Sequence, residues 1–90
     1  MAFLVTCFDK KDSLELRLKT REEHIRYIKK IKKKLLLAGP ILDKNENPIG
    51  TVLVLNFDNT EMVNLFLKND PYSKVKLFKN IKIIEFKKVL

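Results

Sequence analysis

The chain of 90 residues contains one histidine, His24, and one cysteine, Cys7. An imidazole in water has a pKa of about 6.5, which lets it exchange a proton near neutrality. His24, Ile28, Ile31 and Leu35 follow one another at helical spacing, so His24 falls on the inward stripe of a helix, where Leu or Ile would be the ordinary choice. A lone histidine on such a stripe is commonly a core residue satisfied by a backbone carbonyl or a nearby acid. The sharper alternative is a partly buried general acid or base. Arg17 and Arg21 precede it; a guanidinium can hold an anionic group by two parallel bonds, but solvation on a helix surface is the simpler expectation for both. Asp70-Pro71 reads first as a turn or cap pair, and Tyr72 either lines a cleft or packs beneath its loop. Cys7 shares one side of its segment with Phe3 and Val5 and has no basic neighbour in sequence to activate it. A single cysteine excludes an internal disulfide and a thiolate cluster for zinc, so no metal is expected.

The elements that must position these groups are readable in outline. AFLVTCF at 2–8 has strand composition and runs into the polar stretch Asp9-Lys10-Lys11-Asp12-Ser13. Thr20-Arg21-Glu22-Glu23 matches a capping box and predicts a helix from about Arg21. That helix is expected to contain KKIKKK at 29–34, with Arg26, Lys30 and Lys33 on its outer face, and to end before Gly39-Pro40. A short strand at 38–42, a polar loop at 43–48 closed by Gly50, and the strand TVLVLNF at 51–57 follow. Asp58-Asn59-Thr60-Glu61 carries the chemistry of a helix start, and Met62, Val63, Phe66 and Leu67 give that helix an apolar face. Asn69-Asp70-Pro71-Tyr72 breaks it, and NIKIIEFKKV at 80–89 supplies the last strand.

The order β-α-β-β-α-β is that of a ferredoxin-like α+β fold, with both helices on one face of the sheet. A sheet with one wet face should alternate between apolar and polar, yet AFLVTCF and TVLVLNF are apolar on nearly both parities. Two helices cannot cover both faces. The expectation is a homodimer whose open sheet faces pack together, a dimeric α+β barrel.

One domain spanning 1–90 is all that the length allows. The composition, 46% hydrophobic and 33% charged, is that of a globular chain. The opening apolar run is short, lacks a basic leader and is followed at once by charges, so it reads as a strand and not a signal peptide. No stretch has the ~18 apolar residues of a membrane span, and the expected setting is the reducing cytoplasm. The net charge of +8 invites a nucleic-acid reading. Its densest run falls on a helix face where lysine solvation suffices, and the chain has no Trp and no zinc-finger or RRM-type pattern, so nucleic acid is not the expected partner.

Several short pieces recur in a fixed order: Asp9-Lys10, Asp12-Ser13-Leu14, Arg17-Leu18, Arg21 with His24 three residues on, Ala38-Gly39-Pro40, Gly50, Asp70-Pro71-Tyr72, and the tail Phe86-Lys87-Lys88-Val89. In this the chain resembles the YciI-like (YCII-related) family over essentially its whole length. The resemblance implies a small dimeric α+β barrel with a cleft in which His24 and Asp70 face one another. A carboxylate on one ring nitrogen would fix the tautomer and leave the other nitrogen to move protons, and such a pair needs no metal or other cofactor. Arg17, Arg21, Gly39, Pro40 and Tyr72 are the candidates for holding a small-molecule substrate. The chain departs from the family where Lys76 stands at a common glycine position, where Glu85 replaces a proline, and in a shorter loop around 43–48.

Two functions of different class follow. One is a cofactor-independent enzyme moving a proton on a small anionic or cyclic metabolite, with isomerase, lyase or dehydrochlorinase-type chemistry implied by the resemblance. The other is a non-catalytic ligand-binding or accessory protein using the same cleft.

Overall fold

The computed structural model describes residues 2–90. In chain order the elements are β1 (Ala2–Asp9), α1 (Leu14–Lys29), a 3-10 turn (Lys32–Lys34), β2 (Leu35–Leu42), β3 (Pro48–Leu55), α2 (Thr60–Lys68), the short α3 (Pro71–Lys74) and β4 (Phe78–Phe86). The strands form one antiparallel sheet in the order β2-β3-β1-β4, the split arrangement of the ferredoxin-like fold.

One parity of the sheet makes the core. Phe3, Val5 and Cys7 of β1 pair with Leu55, Leu53 and Thr51 of β3, and this face packs on Ile28 of α1 and on Val63, Phe66 and Leu67 of α2. The opposite parity is also largely apolar: Leu4 lies between Val54 and Ile84, with Leu37 beyond Val54, while Phe8 and Phe86 extend the same face. Among the described residues no element covers it, and Leu37, Phe8, Ile84 and Phe86 are each exposed. Among the described residues no helix is long and apolar enough to cross a membrane.

Two boundaries of α1 differ from the sequence reading. The helix begins at Leu14, seven residues before the expected Arg21, and Thr20 is no cap: its hydroxyl donates to the Leu16 carbonyl at 2.8 Å from within the helix. The buried stripe of α1 is Arg17, Thr20, His24 and Ile28, and three of these four are polar, so hydrophobic periodicity could not reveal its first two turns. At the other end α1 stops at Lys29 instead of running to Gly39. Lys32 turns the backbone at φ 51°, and Leu35, expected on the helix face, begins β2. Pairing of Leu35–Leu42 with β3 overrides the helix propensity of the Lys-Leu run. The lysines of the 29–34 run are exposed, as a solvated role requires.

β2 is an edge strand, where Pro40 with its missing N–H is tolerated. Gly50 is required by close packing, since a Cβ there would run into the carbonyl oxygen of Cys7 on β1. At α2 the expected start is found: Asn59 caps the helix by accepting from the Met62 N–H at 2.9 Å.

Candidate functional site

The buried stripe of α1 points at the segment joining α2 to α3. Asp70 is fully buried and serves as N-cap of α3, its Oδ1 accepting from the Tyr72 N–H at 2.9 Å. Proline at the first helical position follows naturally, because its absent N–H is one the helix could not use. The same Oδ1 lies 2.8 Å from His24 Nδ1, and Oδ2 lies 3.0 Å from it. An ionised carboxylate only accepts, so the imidazole donates from Nδ1 and its Nε2 is left to take or give a proton. Tyr72 stacks on the imidazole with centroids 4.0 Å apart. This ring and the carboxylate together fix the orientation of His24.

One turn before Thr20 on the same stripe, Arg17 is 3% exposed. Its Nε donates to Asp9 Oδ2 at 2.6 Å, and Nη2 donates to Asp9 Oδ1 at 3.0 Å and to Thr51 Oγ1 at 2.7 Å. The guanidinium also lies 4.6 Å from the centre of the Tyr72 ring. The expectation of a solvated Arg17 is therefore corrected: a forked ion pair and an aromatic face take the place of water. Arg21, one turn on, is exposed as expected and has no ion pair among the described residues.

These groups border a cavity of about 260 Å³ between α1 and the β2–β3 side of the sheet. Arg17, Arg21 and His24 line it from α1, Thr51 from β3, and Tyr72 from α3. Gly39 and Pro40 of β2 form the facing wall. Nothing stands within 4 Å of where a Cβ of Gly39 would be, so glycine here keeps space open instead of relieving a clash. Asp70 does not line the cavity; it lies behind the imidazole.

Asp9 and Thr51 were not singled out from the sequence as members of this site. Asp9 belongs to the Asp9-Lys10 piece of the family pattern, and that was the available signal. Thr51 gave none, since a threonine opening a strand is ordinary. Cys7 lies in the core beside this network, and burial pushes its thiol up to about 12, with Asp70 adding to the effect. It is not a nucleophile at neutral pH. Among the described residues no group of three or more His, Cys, Asp or Glu side chains is placed to hold a metal ion.

Comparison with known proteins matches the model of the YCII-related domain to residues 1–87. The chain belongs to the YCII-related family. Within it, protein YciI of Escherichia coli O6:H1 (strain CFT073) is 29% identical over 97 residues, covering 99% of both chains. An uncharacterized protein of Haemophilus influenzae is 30% identical over 98 residues, again covering 99% of both. Among solved structures, 5-chloro-2-hydroxyhydroquinone dehydrochlorinase of Burkholderia phenoliruptrix AC1100, in complex with 2,5-dihydroxybenzoquinone, superposes with a TM-score of 0.90 at 27% identity. That match covers 97% of this chain and 94% of the dehydrochlorinase. An antibiotic biosynthesis monooxygenase superposes with a TM-score of 0.57 at 9% identity, covering 99% of this chain and 98% of its own, a likeness of fold alone.

Proposed function

We propose that this YCII-related protein is a cofactor-independent enzyme that transfers a proton on a small anionic, oxygen-bearing cyclic metabolite, in an isomerase, lyase or dehydrochlorinase-type reaction. The observation that carries this reading is the His24–Asp70 contact: Nδ1 is engaged by a fully buried carboxylate at 2.8 Å while the same ring lines a cavity. His24 is the proton-transferring group through Nε2. Asp70 orients the ring and stabilises the imidazolium that forms when Nε2 is protonated. Arg21, a cation of the cavity lining with no ion pair among the described residues, attracts the substrate's anionic group. Gly39 and Pro40 wall the site, and Tyr72 supplies an aromatic surface. Similarity to the dehydrochlorinase over nearly the whole of both chains supports this choice of chemistry.

The test offers 5-chloro-2-hydroxyhydroquinone to the purified protein and follows free chloride with an ion-selective electrode. Release above the buffer rate is expected from the wild type and not from His24→Gln. Equal release by both proteins, or none by either, would overturn dehydrochlorination by this pair.

The second part of the proposal is a homodimer. An apolar sheet face carrying exposed Leu37, Phe8, Ile84 and Phe86 is a surface that a second copy of the chain can bury about a two-fold axis. Light scattering coupled to size exclusion is expected to give twice the 10.6 kDa chain mass. A monomer at micromolar concentration would overturn it.

A further inference from the structure

Two donors on the cavity are left without partners by the fold. Arg17 commits Nε and Nη2 to Asp9 and Thr51, while its Nη1 has no partner among the described residues. Tyr72 is 1% exposed, and its hydroxyl likewise has no partner among the described residues. The contrast with Tyr27 is direct, because that hydroxyl donates to the Phe66 carbonyl at 2.7 Å. Neither Arg17 Nη1 nor Tyr72 Oη is sealed in protein: among the described residues Ser73 Oγ is the one buried side-chain polar atom enclosed without a partner. Both residues line the cavity and are otherwise almost fully buried. A donor that the protein leaves unpaired at a cavity wall is available to a ligand oxygen bound there.

We propose that the Tyr72 hydroxyl and Arg17 Nη1 are the oxyanion donors of this site, binding the carbonyl or phenol oxygen on which negative charge develops when His24 Nε2 takes a proton from the substrate. The assignment rests on the proton-transfer reading and deepens it to one substrate class: rings, phenols in their keto tautomer included, whose carbonyl oxygen is conjugated to the tetrahedral carbon that loses its proton. The C–H bond breaks, the proton goes to Nε2, and the electron pair moves through the ring onto the oxygen as an enolate. Return of the proton to another carbon completes an isomerisation. Collapse of the enolate with departure of chloride, carrying its bonding pair, completes a dehydrochlorination, and the proton then leaves Nε2 for solvent.

The surroundings suit both donors to this task. Burial pushes the Tyr72 phenol up, against the opposing pull of Arg17, so the group stays a neutral donor at neutral pH. Asp9 and Thr51 hold the guanidinium in place before substrate arrives and offset its charge. Fixed donors of this kind stabilise charge that forms during the reaction more than charge already present.

Tyr72→Phe tests the assignment, since it removes one oxygen and keeps the ring that stacks on His24 and meets Phe78 edge to face. Affinity for 2,5-dihydroxybenzoquinone is measured by calorimetry on wild type, Tyr72→Phe and the control Tyr27→Phe, whose hydroxyl lies outside this cavity. About tenfold weaker binding is expected for Tyr72→Phe alone. Unchanged affinity in Tyr72→Phe, or no binding by the wild type, overturns the assignment. Chloride release separates the two readings. Tyr72-dependent binding without His24-dependent release would leave the oxygen-binding donors standing and sink the proton-transfer reading. His24-dependent release unaffected by Tyr72→Phe would sink the donors alone.

Discussion

Replacing Asp70 by asparagine or by alanine should separate the structural from the chemical duty of one buried carboxylate. Its Oδ1 receives the Tyr72 N–H at 2.9 Å and faces His24 Nδ1 at 2.8 Å, and Oδ2 faces the same ring nitrogen at 3.0 Å. Asp70→Ala strands both donors at a site with no solvent contact. Each buried donor left unpaired costs about 1–3 kcal/mol, so a loss of roughly 3–5 kcal/mol is expected. A domain of this length is stable by only about 5–14 kcal/mol at the usual value per residue, so this variant should be close to unfolding at growth temperatures. Asp70→Asn behaves differently. Its Oδ1 can still cap α3, limiting the loss to about 1–2 kcal/mol. The amide nitrogen then stands where Oδ2 was, 3.0 Å from His24 Nδ1, and as a donor it favours a ring that accepts there instead of donating. The ring proton moves to Nε2, and the nitrogen proposed as the base is blocked. Turnover should therefore fall by about 10²-fold or more in a folded protein. Urea denaturation measures the two stability losses, and long-range ¹H–¹⁵N spectra of the imidazole report which nitrogen carries the proton. An Asp70→Ala protein less than about 1 kcal/mol weaker than wild type, or an Asp70→Asn protein with its proton still on Nδ1, would refute this reasoning.

Cys7 makes an alkaline prediction. Its folded pKa of about 12 exceeds the ordinary 9.0, so its contribution to stability is complete below about pH 9 and lost between 9 and 12 by up to about 1.4 kcal/mol per pH unit. Tyr27 and Tyr72, also raised by burial, act in the same direction. The stability difference between wild type and Cys7→Ala isolates the thiol: it should shrink across that window, and a difference independent of pH would count against a buried neutral Cys7. At Lys76 the backbone adopts φ 59°, a left-handed conformation that costs an ordinary residue about 1–2 kcal/mol. Lys76→Gly should relieve it, leaving a net gain of up to about 1 kcal/mol after the glycine's greater freedom in the unfolded chain is counted. A lower thermal midpoint for Lys76→Gly would contradict this account.

That left-handed turn is one that a glycine, which the family resemblance implies here, adopts without a Cβ penalty. Lysine here keeps the backbone shape at some cost, so the departure seen in the sequence changes local strain and leaves the turn itself in place.

Short-range chemistry was legible from the residues alone. β1 and β3 announced themselves by β-branched and aromatic runs, and α2 by its cap, because the groups that form them are within a few positions of one another. The excess of apolar residues on both parities of β1 and β3 likewise pointed to a second apolar sheet face before any packing was known. The extent of α1 was hidden, since its buried stripe is mostly polar and those side chains find partners on other elements. The start of β2 was hidden too: a short strand was read at 38–42, and its extension back to Leu35 rests on the ladder to β3. The facing of His24 and Asp70, forty-six positions apart, was suggested by family resemblance and not by spacing.

What the sequence by itself determined is the inventory and the local rules: one imidazole, the start of α2, the strands in outline and the order of the main elements. Only the tertiary structure decided that Arg17 is buried on Asp9 and Thr51, that Tyr72 closes against His24, and that all of them border one cavity. The reason is range. A polar side chain chooses between water and a partner according to what the rest of the chain places beside it, and that choice has no local signature.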